Sequence, residues 1–152
     1  GLLNRRGLQQ ALDALQVQGI PFAILALDID RFKSINDNHG HDVGDAAIVH
    51  IANQMRRYSR DSDILCRAGG EEFLLLLPGI SAESARQAGE RLRQHIADHP
   101  FEPVGTITVS LGVAHFPSFH VDAEQALRLA DKALYLAKEQ GRNRVVVYPY
   151  AD

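Results

Sequence analysis

The sequence contains one cysteine, no visible signal peptide and no apolar run long enough to span a bilayer. A single cysteine, Cys66, excludes a framework of internal disulfides and is typical of a protein from a reducing compartment, most simply the cytoplasm. From these absences we expect a domain without direct membrane contact.

An excess of basic charge is also missing. Sixteen Lys and Arg residues against 19 Asp and Glu give a net charge of −3, which argues against a general nucleic-acid surface. Any recognition of phosphate must therefore come from local basic residues. The 152 residues are 45% hydrophobic and 23% charged, which predicts one globular domain over residues 1–152 with a proper core.

Hydrophobic spacing predicts the order of helices and strands. The first helix covers 4–18, with Asn4 as a cap, and the almost wholly apolar segment 22–30 follows as a central strand covered on both faces. A helical face with Phe32 and Ile35 leads into a polar turn at 36–40. The other predictions are helices over 42–58, 81–99 and 122–140, a hairpin within 63–77, and strands over 107–116 and 143–149.

Two helices show apolar stripes that we expect to face the core. The stripe of the helix at 42–58 is predicted to contain Ala46, Val49, Ile51 and Met55, and that of the helix at 81–99 to contain Ala85, Ala88, Leu92 and Ile96. The element order predicts an α/β (α+β) fold in which helices surround one mostly antiparallel sheet of about five strands. Split βαβ units around a central hairpin suggest a ferredoxin-like palm.

The segment Gly69-Gly70-Glu71-Glu72 is the most unusual part of the hairpin. The glycines suit a two-residue turn, but adjacent carboxylates repel each other and Glu is a poor strand former. A glycine turn lets a phosphate or a backbone approach closely, and the next carboxylate can bind a hard cation. An ordinary surface hairpin is the alternative interpretation of this segment.

Asp28 and Asp30 end the predicted central strand and lie two residues apart, on the same face. A carboxylate pair at the end of a buried strand is typical of a metal site, although Asp30 can alternatively cap the next helix. In a palm-like sheet the end of this strand and the hairpin turn are neighbours, which would gather Asp28, Glu71 and Glu72. His39 and His41 have no cysteine or acidic partner at structural-zinc spacing, so a role in the turn is favoured for them.

Five ordered motifs resemble the GGDEF domain of diguanylate cyclases, which has the palm fold of nucleotidyl cyclases. The resemblance covers residues 1–148 and rests on the Gly-Gly-Glu-Glu-Phe form of the signature at 69–73. The other matching motifs are GLLNRR at 1–6, which lacks the usual preceding Asp-x-Leu-Thr, DIDRFKSIND at 28–37, GHDVGD at 40–45 and AKEQGRNRV at 137–145. We expect a domain of a longer bacterial signalling protein, with a regulatory sensor domain and, in one form, a membrane anchor outside this segment.

The resemblance implies condensation of two GTP molecules into cyclic di-GMP and two pyrophosphates across a homodimer. It implies that Asp28, the backbone carbonyl of Ile29 and Glu71 hold two Mg²⁺ ions, which Mn²⁺ can replace. Glu71 is then the candidate for deprotonating the attacking 3′-hydroxyl, Glu72 supports the site, and Lys33 is the third residue implied to act in catalysis. The residues implied to bind the rest of GTP are Phe32 and Lys33 at a helix start, Gly69 and Gly70 in the turn, Asn36, Asp45 and the neighbouring His41 at guanine, and Arg67, Lys138 and Arg142 at the phosphates.

The resemblance also implies a product-inhibition site of the Arg-x-x-Asp type at Arg60 and Asp63. Arg91, or alternatively Arg93, would complete this site across a second dimer contact. The alternative interpretation is a solvated cluster of salt bridges. Two other functions stay open: a non-enzymatic receptor that binds cyclic di-GMP through Arg60 and Asp63, and a polymerase-like palm, which should lack the guanine-reading pair.

Overall fold

The computed structural model describes residues 3–117 and 121–150. Its elements are α1 (Arg5–Gln18), β1 (Phe22–Ile29), α2 (Phe32–His39), α3 (His41–Arg57), β2 (Ile64–Gly69), β3 (Glu72–Pro78), α4 (Ala82–Asp98), β4 (Val109–Phe116), α5 (Ala123–Glu139) and β5 (Val145–Tyr148). In these two ranges no helix combines the length and the apolarity that crossing a bilayer demands.

The five strands form one mixed sheet in the order β2-β3-β1-β4-β5. The pairings β2–β3, β3–β1 and β1–β4 are antiparallel, and β4–β5 is parallel. The mostly antiparallel sheet predicted from the sequence is therefore confirmed. All eight residues of β1 are buried, because helices cover both faces of this central strand.

Each face of the sheet carries its own apolar core. On one face, α1 and α5 cover the sheet with residues such as Leu8, Leu12 and Leu127. On the opposite face, α2, α3 and α4 contribute Ile35, Ile51 and Leu92 among others. Burial of these side chains is the main favourable contribution to folding, and it fixes the helices that carry polar groups to the end of β1.

Gly112 in β4 sets the distance between α5 and the sheet. A Cβ atom at this position would overlap the backbone N of Leu134 and the backbone O of Ala130. The helix backbone therefore lies directly on the strand, which only glycine permits. This close contact fixes the position of every side chain that α5 directs toward the end of β1.

Two sequence predictions about the helices were wrong. Ala46 and Val49 are exposed, Val49 by 58%, and the buried stripe of α3 contains Gly44, Ala47, Ile48, Ile51, Ala52 and Met55. Apolar residues occupy four consecutive positions at 46–49, so spacing alone did not define the register of the helix. The polar segment 36–39 is part of α2, and the break between α2 and α3 is confined to Gly40, which has a φ of 89°.

The N-terminal segment is joined to the edge of the sheet. Leu3 forms a parallel bridge with Cys66 in β2. Its backbone N donates to the carbonyl of Leu65 at 3.3 Å, and its carbonyl accepts from the backbone N of Arg67 at 3.3 Å. Asn4 then caps α1, as predicted, by accepting from the backbone N of Gly7 at 2.9 Å.

Candidate active site

The hairpin turn lies one residue later than the sequence suggests. Gly69 pairs with Glu72 after an irregularity between Arg67 and Gly69, so the two turn residues are Gly70 and Glu71. Gly70 adopts a φ of 46° in the left-handed region, which favours glycine. The Arg67 guanidinium donates to the Gly70 carbonyl at 2.8 and 3.1 Å. The turn is thus held by Arg67, and Glu71 lies at its tip.

The end of β1 lies beside this turn, as the predicted sheet requires. In the register of β1 and β3, Asp28 stands opposite Glu72. The backbone N of Ile29 donates to the Glu71 carbonyl at 3.4 Å, while the Ile29 side chain is buried in the core. The structure therefore brings Asp28 together with Glu71 and Glu72, which follow it by more than 40 residues in the sequence.

Asp28 is a buried carboxylate with one unused oxygen. The residue is 7% exposed, and its Oδ2 forms an ion pair with Nζ of Lys138 from α5. Its Oδ1 is buried and has no hydrogen-bond partner. Burial raises the pKa of Asp28, and the ion pair with Lys138 opposes that rise. A buried, unpartnered carboxylate oxygen beside Glu71 has the donor chemistry that a hard divalent cation prefers.

Glu72 lies within hydrogen-bonding reach of a second carboxyl group, that of Asp131 in α5. Burial, followed by the negative charge of Asp131, raises the pKa of Glu72 to about 7. Asp131 also forms an ion pair with Arg5 of α1 at 3.5 Å. Sequence reasoning missed Asp131, although a charged residue four positions after the buried Leu127 was a usable signal.

Asp30 is a structural anchor, and the alternative interpretation, in which it caps α2, does not hold. The residue before α2, Arg31, is its cap position and makes no side-chain hydrogen bond. Asp30 accepts instead from the hydroxyls of Thr108 at 2.8 Å and Ser110 at 2.6 Å, and from the backbone N of Asn143 at 3.0 Å. It thereby ties the loop after α5 to the centre of the sheet.

The loop after α5 carries basic residues predicted at the phosphates. Arg142 and Asn143 have φ values of 65° and 47°, a left-handed conformation that costs energy in residues with side chains. The Asp30 bond to Asn143 stabilises this conformation. The Arg142 side chain is exposed, while Lys138 in the last turn of α5 reaches Asp28.

The segment predicted to read guanine forms the contact between α2 and α3. Phe32 is the first residue of α2, and Asn36, one turn on, packs so tightly on Gly44 that a Cβ at 44 would overlap its Oδ1. This Oδ1 is buried without a hydrogen-bond partner. Asp45 and His41 are exposed on α3, next to this contact.

Lys33 extends from α2 into solvent. Its side chain is 93% exposed and lies 3.9 Å from Asp37, a pair that contributes little at such exposure. Lys33 thus has no contact with Asp28 or Glu71 among the contacts of the described residues. It is free to rotate toward a bound anion.

Arg60 and Asp63 bind each other at one wall of a cavity of about 330 Å³, which Arg91 also lines. The Arg60 guanidinium donates to Asp63 Oδ1 at 2.8 and 3.0 Å and to the Pro78 carbonyl at 2.9 Å. Tyr58 forms another part of the wall. Arg93 instead binds Glu90 and, at 3.1 Å, Asn143, so of the two candidate arginines it is Arg91 that lines the cavity.

Comparison with known proteins identifies one family over nearly the whole chain. Residues 1–144 match the family model described as "Diguanylate cyclase, GGDEF domain". Diguanylate cyclase DgcP of Pseudomonas aeruginosa is 42% identical over 155 residues, a match that covers 97% of this chain and 23% of DgcP. The chain spans between 23% and 43% of the length of such relatives.

Solved structures show the same architecture. The GGDEF domain of DgcB from Caulobacter crescentus in complex with c-di-GMP has a TM-score of 0.89 and 31% identity, with 96% of this chain and 91% of that chain covered. The active GGEEF domain of a diguanylate cyclase from Vibrio cholerae has a TM-score of 0.89 and 35% identity, and the match covers 99% of this chain and 100% of that chain. Fold, signature turn and sequence similarity agree, and the chain belongs to the GGDEF domain family of diguanylate cyclases.

Proposed function

We propose that this domain condenses two molecules of GTP into cyclic di-GMP. In each half-reaction the 3′-hydroxyl oxygen of one GTP forms a bond to the α-phosphorus of the other, and pyrophosphate leaves. Two such steps close the ring and release two pyrophosphates. The homodimer supplies two half-sites, each of which holds one GTP.

The observation that carries this proposal is the juxtaposition of Asp28 with the glutamates of the Gly70 turn. Asp28 faces Glu72 in the sheet, the Glu71 carbonyl accepts from Ile29, and the buried Oδ1 of Asp28 has no partner. A purely structural carboxylate normally has its hydrogen bonds satisfied. An unsatisfied one beside further carboxylates supports a role in binding a cation.

Asp28, the Ile29 carbonyl and Glu71 would hold the divalent cations, Mg²⁺ or Mn²⁺. When bound, these ions neutralise the leaving pyrophosphate and polarise the α-phosphorus. Glu71, at the tip of the turn, receives the proton of the attacking 3′-hydroxyl. Glu72, which stands opposite Asp28 in the sheet, supports the site.

The phosphates are bound by basic side chains and by the start of α2. Backbone N–H groups at Phe32 are available to an anion, because the first N–H groups of a helix have no partner within it. Lys33 and Arg142 are exposed and can turn toward the triphosphate. Arg67 donates two hydrogen bonds to the Gly70 carbonyl, so its first role is to hold the turn and its second is to add positive charge nearby.

Guanine selection is assigned to Asn36 and Asp45, with His41 beside them. A carboxylate accepts hydrogen bonds from the N1 and N2 donors of guanine, whereas adenine presents an acceptor at N1. The unpartnered Oδ1 of Asn36 supports this assignment, because a base donor can satisfy it. These residues make GTP the preferred substrate over ATP.

Product inhibition is assigned to the cavity of Arg60, Asp63 and Arg91. Cyclic di-GMP carries phosphates and guanine edges that an arginine fork and a carboxylate can bind. The related DgcB domain has been crystallised with c-di-GMP, which supports binding of the same ligand by this chain.

A regulatory domain in the longer protein would control how two protomers meet. The free thiol of Cys66 supports a cytoplasmic setting.

The test is incubation of the domain with GTP and Mg²⁺, followed by chromatography for cyclic di-GMP. Asp28→Asn and Glu71→Gln should abolish product formation, because each removes a cation ligand. Glu124→Gln, an exposed change of the same charge on α5, is the matched control and should keep wild-type activity. Turnover per protomer should fall on dilution, because two loaded half-sites must meet.

The outcome also separates the enzyme from the alternative receptor. A chain that binds cyclic di-GMP but forms none from GTP at any protein concentration is a receptor, and the proposed activity is then wrong. Product formation by Asp28→Asn at the wild-type rate would equally contradict the assignment of the site.

A further inference from the structure

Lys138 binds the same carboxylate that the proposed function assigns to a metal ion. Its Nζ pairs with Asp28 Oδ2 from the last turn of α5, 110 residues away in the sequence. We propose that Lys138 is a positioning residue that acts as an internal cation. Its ammonium group pairs with Asp28 until a bound triphosphate attracts the lysine away from the carboxylate. Metal and nucleotide therefore bind together. This inference rests on the proposed function.

The charges around Asp28 explain why a cation is needed there. Burial is the main cause that raises the pKa of Asp28, and repulsion from Glu71 and Asp30 adds to the rise. A buried carboxylate surrounded by negative groups is costly unless it is paired. Lys138 supplies the positive charge that stabilises it in the nucleotide-free protein.

Lys138 has the freedom to leave this position. Its side chain is 37% exposed, against 11% for Asp28, and its ammonium lies on a flexible four-carbon stem. The backbone around it is fixed, because Asp30 binds the Asn143 N–H and the backbone N of Arg142 donates to the Ala137 carbonyl at 3.0 Å. The lysine can therefore rotate toward an anion while the loop stays in place.

A metal ion and the Lys138 ammonium cannot share Asp28 without repelling each other. In the described part of the chain, no three or more His, Cys, Asp or Glu side chains are arranged to hold a metal ion. Oxygens of the triphosphate would supply the missing ligands, as is common for Mg²⁺. The triphosphate thus does two things: it attracts Lys138 and it completes the coordination of the metal.

The consequence is a reciprocal coupling between metal and nucleotide. The nucleotide-free protein should bind a divalent cation weakly, and a GTP analogue should strengthen that binding by the same factor by which the cation strengthens binding of the analogue. Removal of Lys138 should abolish part of this coupling, because Asp28 is then open to the metal at all times. The same removal should weaken the binding of the analogue, because one contact with its phosphates is lost.

The experiment measures the affinity of Mn²⁺ alone for the nucleotide-free protein, by calorimetry and by the electron paramagnetic resonance of free Mn²⁺. Mn²⁺ shares the preference of Mg²⁺ for oxygen ligands. Lys138→Met should bind Mn²⁺ about tenfold more tightly than wild type, the factor expected from removing a competing partly buried charge. Lys132→Met, with the same change of charge at an exposed site on the same helix, should match wild type.

A second comparison assigns the gain to Asp28. Asp28→Asn and the double variant Asp28→Asn/Lys138→Met should bind Mn²⁺ equally, because the lysine no longer has a carboxylate to compete for. Equal affinity in wild type and Lys138→Met, or a gain that persists in the Asp28→Asn background, would overturn the proposal. Absence of cyclic di-GMP synthesis by wild type would refute the proposed function and leave this binding result standing, so the two failures are distinguishable.

Discussion

The carboxyl groups of Glu72 and Asp131 lie within hydrogen-bonding reach of each other, at the contact between β3 and α5. Burial and the negative charge of Asp131 raise the pKa of Glu72 to about 7, so Glu72 is partly protonated near neutral pH. This relationship makes the stability of the metal-free protein depend on pH.

We expect the metal-free protein to lose stability as the pH rises from 4.5 through 7. The pKa of Glu72 is about 7 in the folded protein, against 4.5 for the unfolded chain, so folding takes up a proton in this interval. The contribution is fully present below pH 4.5 and is lost above 7, and it is on the order of 2–3 kcal/mol. Urea unfolding in the presence of a chelator, measured at several pH values, checks this expectation.

Glu72→Gln should flatten that pH dependence, because the amide cannot titrate. Glu83→Gln is the control: Glu83 lies on the surface of α4, where its hydrogen bonds with Arg86 lower its pKa. This control should keep the slope of the wild type. A slope that is unchanged in Glu72→Gln would show that Glu72 does not take up the proton.

Asp30→Asn should reduce both stability and affinity for a GTP analogue. The carboxylate accepts three hydrogen bonds, and an amide in its place presents N–H groups to one or more of these donors. The expected loss is about 1.5–3 kcal/mol, together with weaker binding of the analogue because the loop with Arg142 is released. Asp122→Asn, which preserves a helix cap on α5, should change neither property in unfolding and calorimetry.

Gly112→Ala should displace α5. The added Cβ overlaps backbone atoms of Leu134 and Ala130, which cannot rotate away, and such overpacking costs about 1–3 kcal/mol. Lys138 and Asp131 would move with the helix, so activity should fall by more than the loss of folded protein explains. Gly89→Ala is the control, because its Cβ meets only the side-chain ends of Val113 and Val145, at 3.3 Å or more. Similar losses of stability and activity in both variants would contradict the argument.

Product binding and substrate binding should separate by mutation. Arg60→Ala should weaken the binding of cyclic di-GMP by at least about tenfold, since a charge-assisted hydrogen bond contributes about 1.5–3 kcal/mol. Arg91→Ala should also weaken it and leaves the Arg60–Asp63 pair intact, which controls for the loss of that pair. Asp45→Ala should weaken the binding of a GTP analogue and leave the binding of the product unchanged. Calorimetry measures both affinities. Equal product affinity in wild type and both arginine variants would show that this cavity is not the product site.

The sequence predicted the architecture well, because β1 is apolar apart from Asp28 and most helices have clear stripes and caps. It also predicted that Asp28 meets the signature turn, since an antiparallel neighbour of β1 has to bring the hairpin there. The stripe of α3 failed at Ala46 and Val49, where consecutive apolar residues suit more than one register. The turn was misplaced by one residue because the irregularity before Gly69 depends on the partner strand.

The contacts between distant segments were not predictable from local patterns. Nothing in the sequence near Asp30 indicates that it binds Asn143, and nothing near Lys138 indicates that it pairs with Asp28. Both contacts depend on how closely α5 approaches β4, which the small size of Gly112 decides. Asp131 was accessible in principle, as a charge that follows the apolar stripe of α5.

The bridge between Leu3 and Cys66 couples the start of the described chain mechanically to the β2–β3 hairpin. A force on the backbone before Leu3 acts on the two hydrogen bonds that Leu3 forms with β2. These bonds transmit the force to Leu65 and Arg67, along the direction of the strand. Arg67 in turn grips the carbonyl of Gly70. Tension or torsion applied before Leu3 is therefore transmitted through β2 and Arg67 to the turn that presents Glu71.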